Sequence, residues 1–245
     1  MLSVAIVGAS GGIGAAILEN LIAHEKVDCI FATYHRSLAA GSTGNVAGFA
    51  AATKVSWSKL DASDDEQVRL WLASLGQVDW LINCAGMLHD EEHGPEKSIS
   101  AFSTEYFEKS MAINCLPTLL LGKYARAVLK DSSAAVFATI SARVGSISDN
   151  RLGGWYSYRA SKAALNMALK SLSVEWSRTA RSVRVAALHP GTTDSRLSKP
   201  FQKNVPEGKL FSPEKTAALL VKQIEGLHDR DSGCFIAYDG EEIPW

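Results

Sequence analysis

The sequence predicts a doubly wound α/β architecture, an open sheet of about seven parallel strands with helices on both faces. Three features carry this. Short apolar runs of strand length alternate along the chain with helix-length amphipathic segments, the order that parallel strands and their crossover helices produce. The first run, Val4 to Val7, stops at Gly8 and passes through Ala9-Ser10-Gly11-Gly12-Ile13-Gly14 straight into an amphipathic segment, Ala15 to Ile22. Later runs end in small or polar residues, Asn83-Cys84-Ala85-Gly86 and Ser141 among them, at the carboxyl edge where such sheets meet their ligands.

Taken in order, Val4 to Val7 reads as a buried strand. With the glycine-rich turn and the following helix it forms the first half of a nucleotide-binding unit. The glycines let backbone approach a pyrophosphate, whose charge sits at the positive helix N-terminus. The spacing is Gly-x-x-x-Gly-x-Gly at Gly8, Gly12 and Gly14, with Ser10 and Ile13 between, rather than Gly-x-Gly-x-x-Gly. Glycine-rich turns without a ligand are also frequent. Val27 to Tyr34 reads as the second strand. About 20 positions past the glycines, where an acidic residue would hold a ribose 2′-hydroxyl, the chain has Thr33-Tyr34-His35-Arg36-Ser37. Arg36 suits a 2′-phosphate and no carboxylate stands there to repel one, so NADP(H) is expected in preference to NAD(H). The plainer alternative makes Arg36 a solvated loop cation.

Residues 38–52, rich in Ala, Gly and Ser, read as an irregular connection or a poor helix. Lys54 to Trp57 is a short alternating strand with Asp61 after it, and Asp64 to Leu75 is a helix whose acidic first turn suits its dipole. Val78 to Ile82 is the next strand. Thr104 is the expected N-cap of a long helix to about Leu129, kinked or split at Pro117. Asn114 lies in its apolar stretch, where a buried amide needs partners, either for packing or for a site. Ala134 to Ile140 is the fifth strand and delivers Ser141. The following loop to Gly154 carries three glycines and two arginines, suited to covering a pocket. A helix from about Trp155 to Arg178 and a strand Val183 to Leu188 lead to His189-Pro190-Gly191-Thr192-Thr193. A last helix opens at Ser212-Pro213-Glu214, and Gly233 to Ala237 is a final short strand. With no internal repeat and no linker, residues 1–245 are expected to form one domain.

Apolar residues make up 47% of the 245 and charged residues 21%, enough for a sizeable core and unlike a disordered chain. A net charge of −1 gives no sign of a nucleic-acid footprint or a polybasic membrane patch. No apolar run approaches the ~18 residues of a membrane span. Met1 leads into Leu2 to Val7 without a charged n-region or cleavage site, so a soluble cytoplasmic protein is expected. Cys29, Cys84, Cys115 and Cys234 are scattered singly, as reduced thiols are. His89-Asp90-Glu91-Glu92-His93 invites a metal reading, but zinc-protease spacing needs Glu directly after the first His on a helix. Here Asp stands there and Gly94-Pro95 ends any helix, so a solvated acidic loop and no metal are expected.

Tyr158 and Lys162 are four residues apart and rise from one helix face. A phenol with its ordinary pKa of about 10 is a poor proton donor or acceptor at neutral pH. A neighbouring ammonium pulls that pKa towards a useful value. Such pairs also arise by chance, and the upstream features give this one its meaning.

With these residues placed, the chain resembles the short-chain dehydrogenase/reductase family in its compact form, over essentially its whole length. The resemblance implies a Rossmann-type sheet whose turn at Gly8, Gly12 and Gly14 binds a dinucleotide pyrophosphate. Val7 stands where the family usually has Thr. Asp61 matches the family's Asp near the adenine. Asn83-Cys84-Ala85-Gly86 matches its Asn-Asn-Ala-Gly, with Cys84 replacing the second Asn. Pro190-Gly191 matches its Pro-Gly, and Thr193 its contact to the nicotinamide amide. The implied cofactor-binding set is thus Gly8, Ser10, Gly12, Ile13, Gly14, Arg36, Asp61, Asn83, Ala85, Gly86, Tyr158, Lys162, Pro190, Gly191 and Thr193. The implied catalytic set is Asn114, Ser141, Tyr158 and Lys162; Tyr156 is excluded because Ala160 lies four residues beyond it. Gly86 to Asp90, Ser146 to Asn150 and Leu197 to Phe201 also resemble the subgroup related to the bacterial signalling protein C-factor.

The resemblance implies an NADP(H)-dependent interconversion of a small-molecule carbonyl and an alcohol. Tyr158 is the expected general acid/base and Ser141 steadies the substrate oxygen. Lys162 lowers the Tyr158 pKa and binds the nicotinamide ribose, while Asn114 positions a water in the proton relay. The alternative is an NADP(H)-binding sensor or signalling protein with little turnover; a sugar-nucleotide epimerase would need a longer C-terminal substrate region. Apolar-faced helices near 104–129 and 155–178 imply a homodimer or homotetramer, with Trp245 either at that interface or frayed. The loops around 87–98, 143–155 and 194–211 would build the substrate pocket, and substrate identity is not legible in them.

Overall fold

The computed structural model of the chain describes residues 1–36, 53–129, 134–230 and 232–245. Its strands are β1 (Leu2–Val7), β2 (Val27–Tyr34), β3 (Val55–Lys59), β4 (Trp80–Asn83), β5 (Val136–Ile140), β6 (Arg184–His189), β7 (Thr192–Thr193), β8 (Leu210–Phe211) and β9 (Cys234–Ala237). Its helices are α1 (Gly12–Ile22), α2 (Asp65–Ser74), α3 (Thr104–Asn114), α4 (Leu116–Leu129), α5 (Tyr156–Thr179) and α6 (Pro213–Glu225). Seven strands form one sheet in the order β3-β2-β1-β4-β5-β6-β9, and every pairing is parallel. This is the doubly wound α/β sheet that the sequence predicts. Strand order reverses between β1 and β4, so the connections leaving them diverge and open a crevice at their carboxyl ends. The β1–β4 register pairs Val7 with Asn83, which sets the glycine turn beside the segment after β4.

Successive strand residues point to opposite faces, and the core divides accordingly. Leu81, Phe137 and Val185 lie under Val68 and Leu72 of α2, Leu121 and Leu129 of α4, and Leu165, Leu169 and Trp176 of α5. Their neighbours Ile82, Ala138 and Ala186 face Ile17 and Leu21 of α1 and Leu220 and Ile224 of α6. Each fully buried Leu, Ile or Phe contributes roughly 1.5–3 kcal/mol of transfer free energy, and burial on both faces is why these strands read as unbroken apolar runs.

One expectation near Pro117 is met, and two details differ from the sequence reading. The long third helix is split, with α3 ending at Asn114 and α4 starting at Leu116. Pro117 sits in the first turn of α4, where its missing N–H forfeits no helical bond. The N-cap of α3 is Ser103, whose hydroxyl accepts from the Tyr106 N–H, rather than Thr104. Trp245 is neither frayed nor free: its ring stacks on Phe235 with centroids 5.5 Å apart, beneath the Lys170 ammonium at 5.7 Å. The expected connection over 38–52 lies outside the described residues. Among the described residues no helix is long and apolar enough to cross a membrane.

Candidate active site

A cavity of about 1020 Å³ runs along the carboxyl edge of the sheet at the β1–β4 divergence. One end is lined by Gly11, Gly12, Ile13, Gly14 and Arg36. Cys84, Ala85, Gly86, Ser141, Tyr158 and Lys162 line the middle, with Pro190, Gly191 and Thr193 opposite; Trp155 and Phe201 line the far end.

The glycine turn is shaped by close approach. Gly8 has φ +76°, a left-handed conformation that strains other residues, and a Cβ on Gly14 would overlap the Gly8 carbonyl oxygen. Helix α1 starts at Gly12 with no side chain capping it, so its partly positive end opens beside the cavity. Gly8 itself donates to the Thr33 hydroxyl and, like Ser10, is not among the lining residues. Arg36, just past β2, is exposed and lines the same end.

Two further residues of the implied binding set, Asp61 and Asn83, are not among the lining residues. Asp61 accepts from the N–H and the hydroxyl of Ser63 and lies 3.6 Å from His35 Nε2. Its bond from the Ser63 hydroxyl, more than the nearby His35, holds this carboxyl below its ordinary value. Asn83 accepts from the Ala85 N–H and donates to the Thr118 hydroxyl, so it shapes the turn whose Cys84, Ala85 and Gly86 form the wall.

Asn114 is fully buried, and both ends of its amide are hydrogen-bonded. Its Oδ1 accepts from the Met87 N–H at 2.7 Å; its Nδ2 donates to the Met87 carbonyl at 2.9 Å and to the Ser161 hydroxyl at 3.0 Å. It thereby clamps the segment after β4 to α5. Gly86 fits between them, since a Cβ there would meet Asn114 Oδ1 at 3.4 Å and Lys162 Nζ at 3.5 Å.

Tyr158 and Lys162 share one face of α5, both buried, with Nζ 5.9 Å from the centre of the phenol ring. Nζ donates to the Ile140 carbonyl at 3.0 Å. Burial disfavours the charged form of each, so it pulls Lys162 down to about 8 and pushes the Tyr158 phenol above its ordinary value, with Tyr106 adding to the rise. Loss of hydration is the larger cause of the rise at Tyr158. Ser141, at the end of β5, donates its hydroxyl proton to Asn166 Oδ1 at 2.6 Å.

On the opposite wall Gly191 has φ +72°, and a Cβ there would crowd the Phe211 ring at 2.9 Å. Thr193 is buried, with its hydroxyl 2.9 Å from that of Thr216. The far end is aromatic. Trp155 lies 5.2 Å from Phe201 and 6.3 Å from Tyr158, and Phe201 lies 6.2 Å from His89, between ring centroids. His89 Nε2 is 3.2 Å from the Arg196 carbonyl oxygen. The loops expected to form a substrate pocket thus converge. The segment from His89 to His93 is a turn built on Asp90, which accepts from the N–H groups of Glu92 and His93 and pairs with Lys109 at 2.7 Å.

Five residues here escaped the sequence reading. Asn166 was detectable, standing four residues past Lys162 and eight past Tyr158 on the same helical stripe. Glu96, His189 and the Trp155–Phe201 pair had no local signal, because their partners are distant in sequence. His189 accepts from the Arg143 N–H at 3.3 Å, and burial pulls its imidazole down to about 4.

The sequence pattern described as short chain dehydrogenase matches residues 3–206. The chain is 30% identical over 249 residues to 1-hydroxy-2-glutathionyl-2-methyl-3-butene dehydrogenase of Rhodococcus sp. (strain AD45), with 100% of both chains covered. It is 33% identical over 170 residues to C-signal of Myxococcus xanthus, covering 69% of this chain and 94% of that one, which answers to the subgroup resemblance. The solved structure of the NADPH-bound carbonyl reductase from chicken fatty liver has the same fold, with a TM-score of 0.84, 24% identity and coverage of 100% and 99%. On the family pattern and the full-length relative together, the chain belongs to the short-chain dehydrogenase family of oxidoreductases.

Proposed function

We propose that the protein is an NADP(H)-dependent carbonyl reductase, reversible as an alcohol dehydrogenase. The observation that carries this reading is a single cavity, with a glycine turn at one end and Ser141, Tyr158 and Lys162 together in its middle. Its residues fit a dinucleotide. The Gly8–Gly14 approach leaves room for no side chain, and the α1 N-terminus supplies N–H groups for a pyrophosphate. Arg36 would pair with a 2′-phosphate, while Pro190, Gly191 and Thr193 would flank the nicotinamide; Asp61 and Asn83 would act through the turns they hold.

A bound nicotinamide, held by Pro190, Gly191 and Thr193, would supply or accept the hydride. Tyr158 gives its proton to the carbonyl oxygen, and burial keeps it in the protonated form that reduction needs. Lys162, still largely protonated at neutral pH, offsets the developing phenolate charge and replenishes the proton. Asn114 belongs to this relay by fixing Met87 and α5 around Lys162. Ser141 steadies the substrate oxygen as charge develops on it. The aromatic far end favours a small molecule with an apolar group beside its carbonyl.

One domain over residues 1–245 and a cytoplasmic location belong to the same reading. Exposed Leu119 on α4 and Met167 and Val174 on α5 favour a homodimer or homotetramer. The test is fluorescence titration with NADPH and NADH, followed by turnover against a carbonyl panel. NADPH binding with turnover, lost in Tyr158→Phe without loss of binding, supports the reductase; unchanged turnover in that variant defeats the assignment. The likeness to C-signal favours a second reading, an NADP(H)-binding sensor, and binding by the native protein with no turnover across the panel would move the weight there.

A further inference from the structure

Ser141 and Asn166 are joined in a direction that carbonyl reduction cannot use. The Ser141 hydroxyl lines the cavity, yet its proton is held by Asn166 Oδ1 at 2.6 Å. In that state it offers only lone pairs to the cavity, and a substrate carbonyl oxygen, itself an acceptor, would be repelled. The other end of the same amide is unsatisfied. Asn166 is 3% exposed, and its Nδ2 has no hydrogen-bond partner among the described residues. A buried N–H without a partner is costly, more so than a buried carbonyl oxygen with a spare lone pair.

A half-turn of the amide reverses the bond and lessens the second fault, since its two ends have nearly the same shape and the unpaired position then holds a carbonyl oxygen, the less costly group to leave unpaired. Nδ2 then donates to Ser141 Oγ, and the hydroxyl proton is released towards the cavity. Asn166 is carried by the same stripe of α5 as Tyr158 and Lys162, so it is held in register with both.

We infer that Asn166 is a positioning residue of the reaction: turned with Nδ2 towards Ser141, it makes the Ser141 hydroxyl a donor to the substrate oxygen. The inference rests on the reductase reading above. It makes Asn166 the element that sets hydrogen-bond polarity at Ser141, without touching substrate or cofactor.

The direction of this bond can be tested because an isosteric change and a disruptive one should act in the wrong order for a packing role. Asn166→Asp is acceptor-only and holds the Ser141 proton; Asn166→Leu leaves that hydroxyl free to turn. Turnover number, KM, NADPH affinity and thermal midpoint are measured for both, for Ser141→Ala, and for Asn166→Asp combined with Ser141→Ala. The expected result is a kcat about tenfold or more below native for Asn166→Asp, with NADPH affinity kept and Asn166→Leu the more active of the two. The Asp change should add nothing in the Ser141→Ala background, because residues acting as a unit are not additive. Native kcat in Asn166→Asp, a loss that persists in full without the Ser141 hydroxyl, or a Leu variant slower than the Asp variant would each overturn the inference while leaving the reductase standing. A native protein that binds NADPH and turns over no carbonyl removes the reductase reading, and this inference with it.

Discussion

The carboxylate of Glu96 accepts both the backbone N–H and the hydroxyl of Ser157, the residue just before Tyr158, although the two are 61 positions apart. Glu96 is 4% exposed and Ser157 fully buried. Helix α5 has no side-chain cap of its own: its N-cap, Trp155, is left-handed at φ 54° and donates its N–H to the Glu96 carbonyl oxygen. A negative group on the positive end of α5 satisfies donors that the helix cannot satisfy itself. The loop after β4 therefore sets where the helix bearing Tyr158 begins.

Glu96→Ala would strip Ser157 of its acceptors inside the protein. A buried donor left unpaired costs about 1–3 kcal/mol, so the thermal midpoint should fall by roughly 2–10 °C. Turnover should fall more than NADPH affinity, because the helix start is displaced while the glycine turn is untouched. Calorimetry and cofactor titration check this; an unchanged midpoint would remove the capping role.

Gly14→Ala would place a methyl group against the Gly8 carbonyl, backbone against which nothing flexible can yield. The turn must open or α1 must shift, and either change spoils the pyrophosphate cradle. NADPH affinity is expected to drop by at least about tenfold, with a loss of stability of about 1–3 kcal/mol. Native affinity in this variant would show that the close approach is not needed for binding.

Arg36→Ala should weaken NADPH binding by roughly 10- to 100-fold and leave NADH binding nearly unchanged, since a charged hydrogen bond to phosphate contributes about 1.5–3 kcal/mol. Parallel titrations with both cofactors decide the matter. Equal losses for the two would make Arg36 a general contributor and withdraw the 2′-phosphate assignment.

His189 ties acid stability to the wall of the cavity. Its imidazole is held down to about 4 by burial, against an unfolded value of about 6.5. Between those values the unfolded chain binds a proton that the folded one does not, so folding stability rises with pH through the window and falls as pH drops from 6.5 towards 4. His189→Asn should flatten that part of the curve. Denaturant unfolding at several pH values compares the two proteins, and parallel curves would show that His189 does not supply this slope.

Much of the architecture was legible because it is written in local periodicity. The Val4–Gly14 passage announces strand, turn and helix within eleven residues, and the four-residue step from Tyr158 to Lys162 needs only helical geometry. The same reading placed Ser141 at a strand end and Pro190-Gly191 after another. It did less well where a side chain's partner is remote. The partners of Asn114, Met87 and Ser161, lie 27 and 47 positions away.

By itself, then, the sequence determined the order of the elements, the direction of the sheet and the identity of the residues delivered to its carboxyl edge, all of which follow from spacings shorter than about two helical turns. Only the tertiary structure decided what those residues are chemically. Burial raised the Tyr158 phenol, α5 set Asn166 beside the Ser141 hydroxyl, and Glu96 reached across 61 positions to start α5. Hydration lost and hydrogen bonds gained depend on which distant segments pack together, and local spacing carries no record of that.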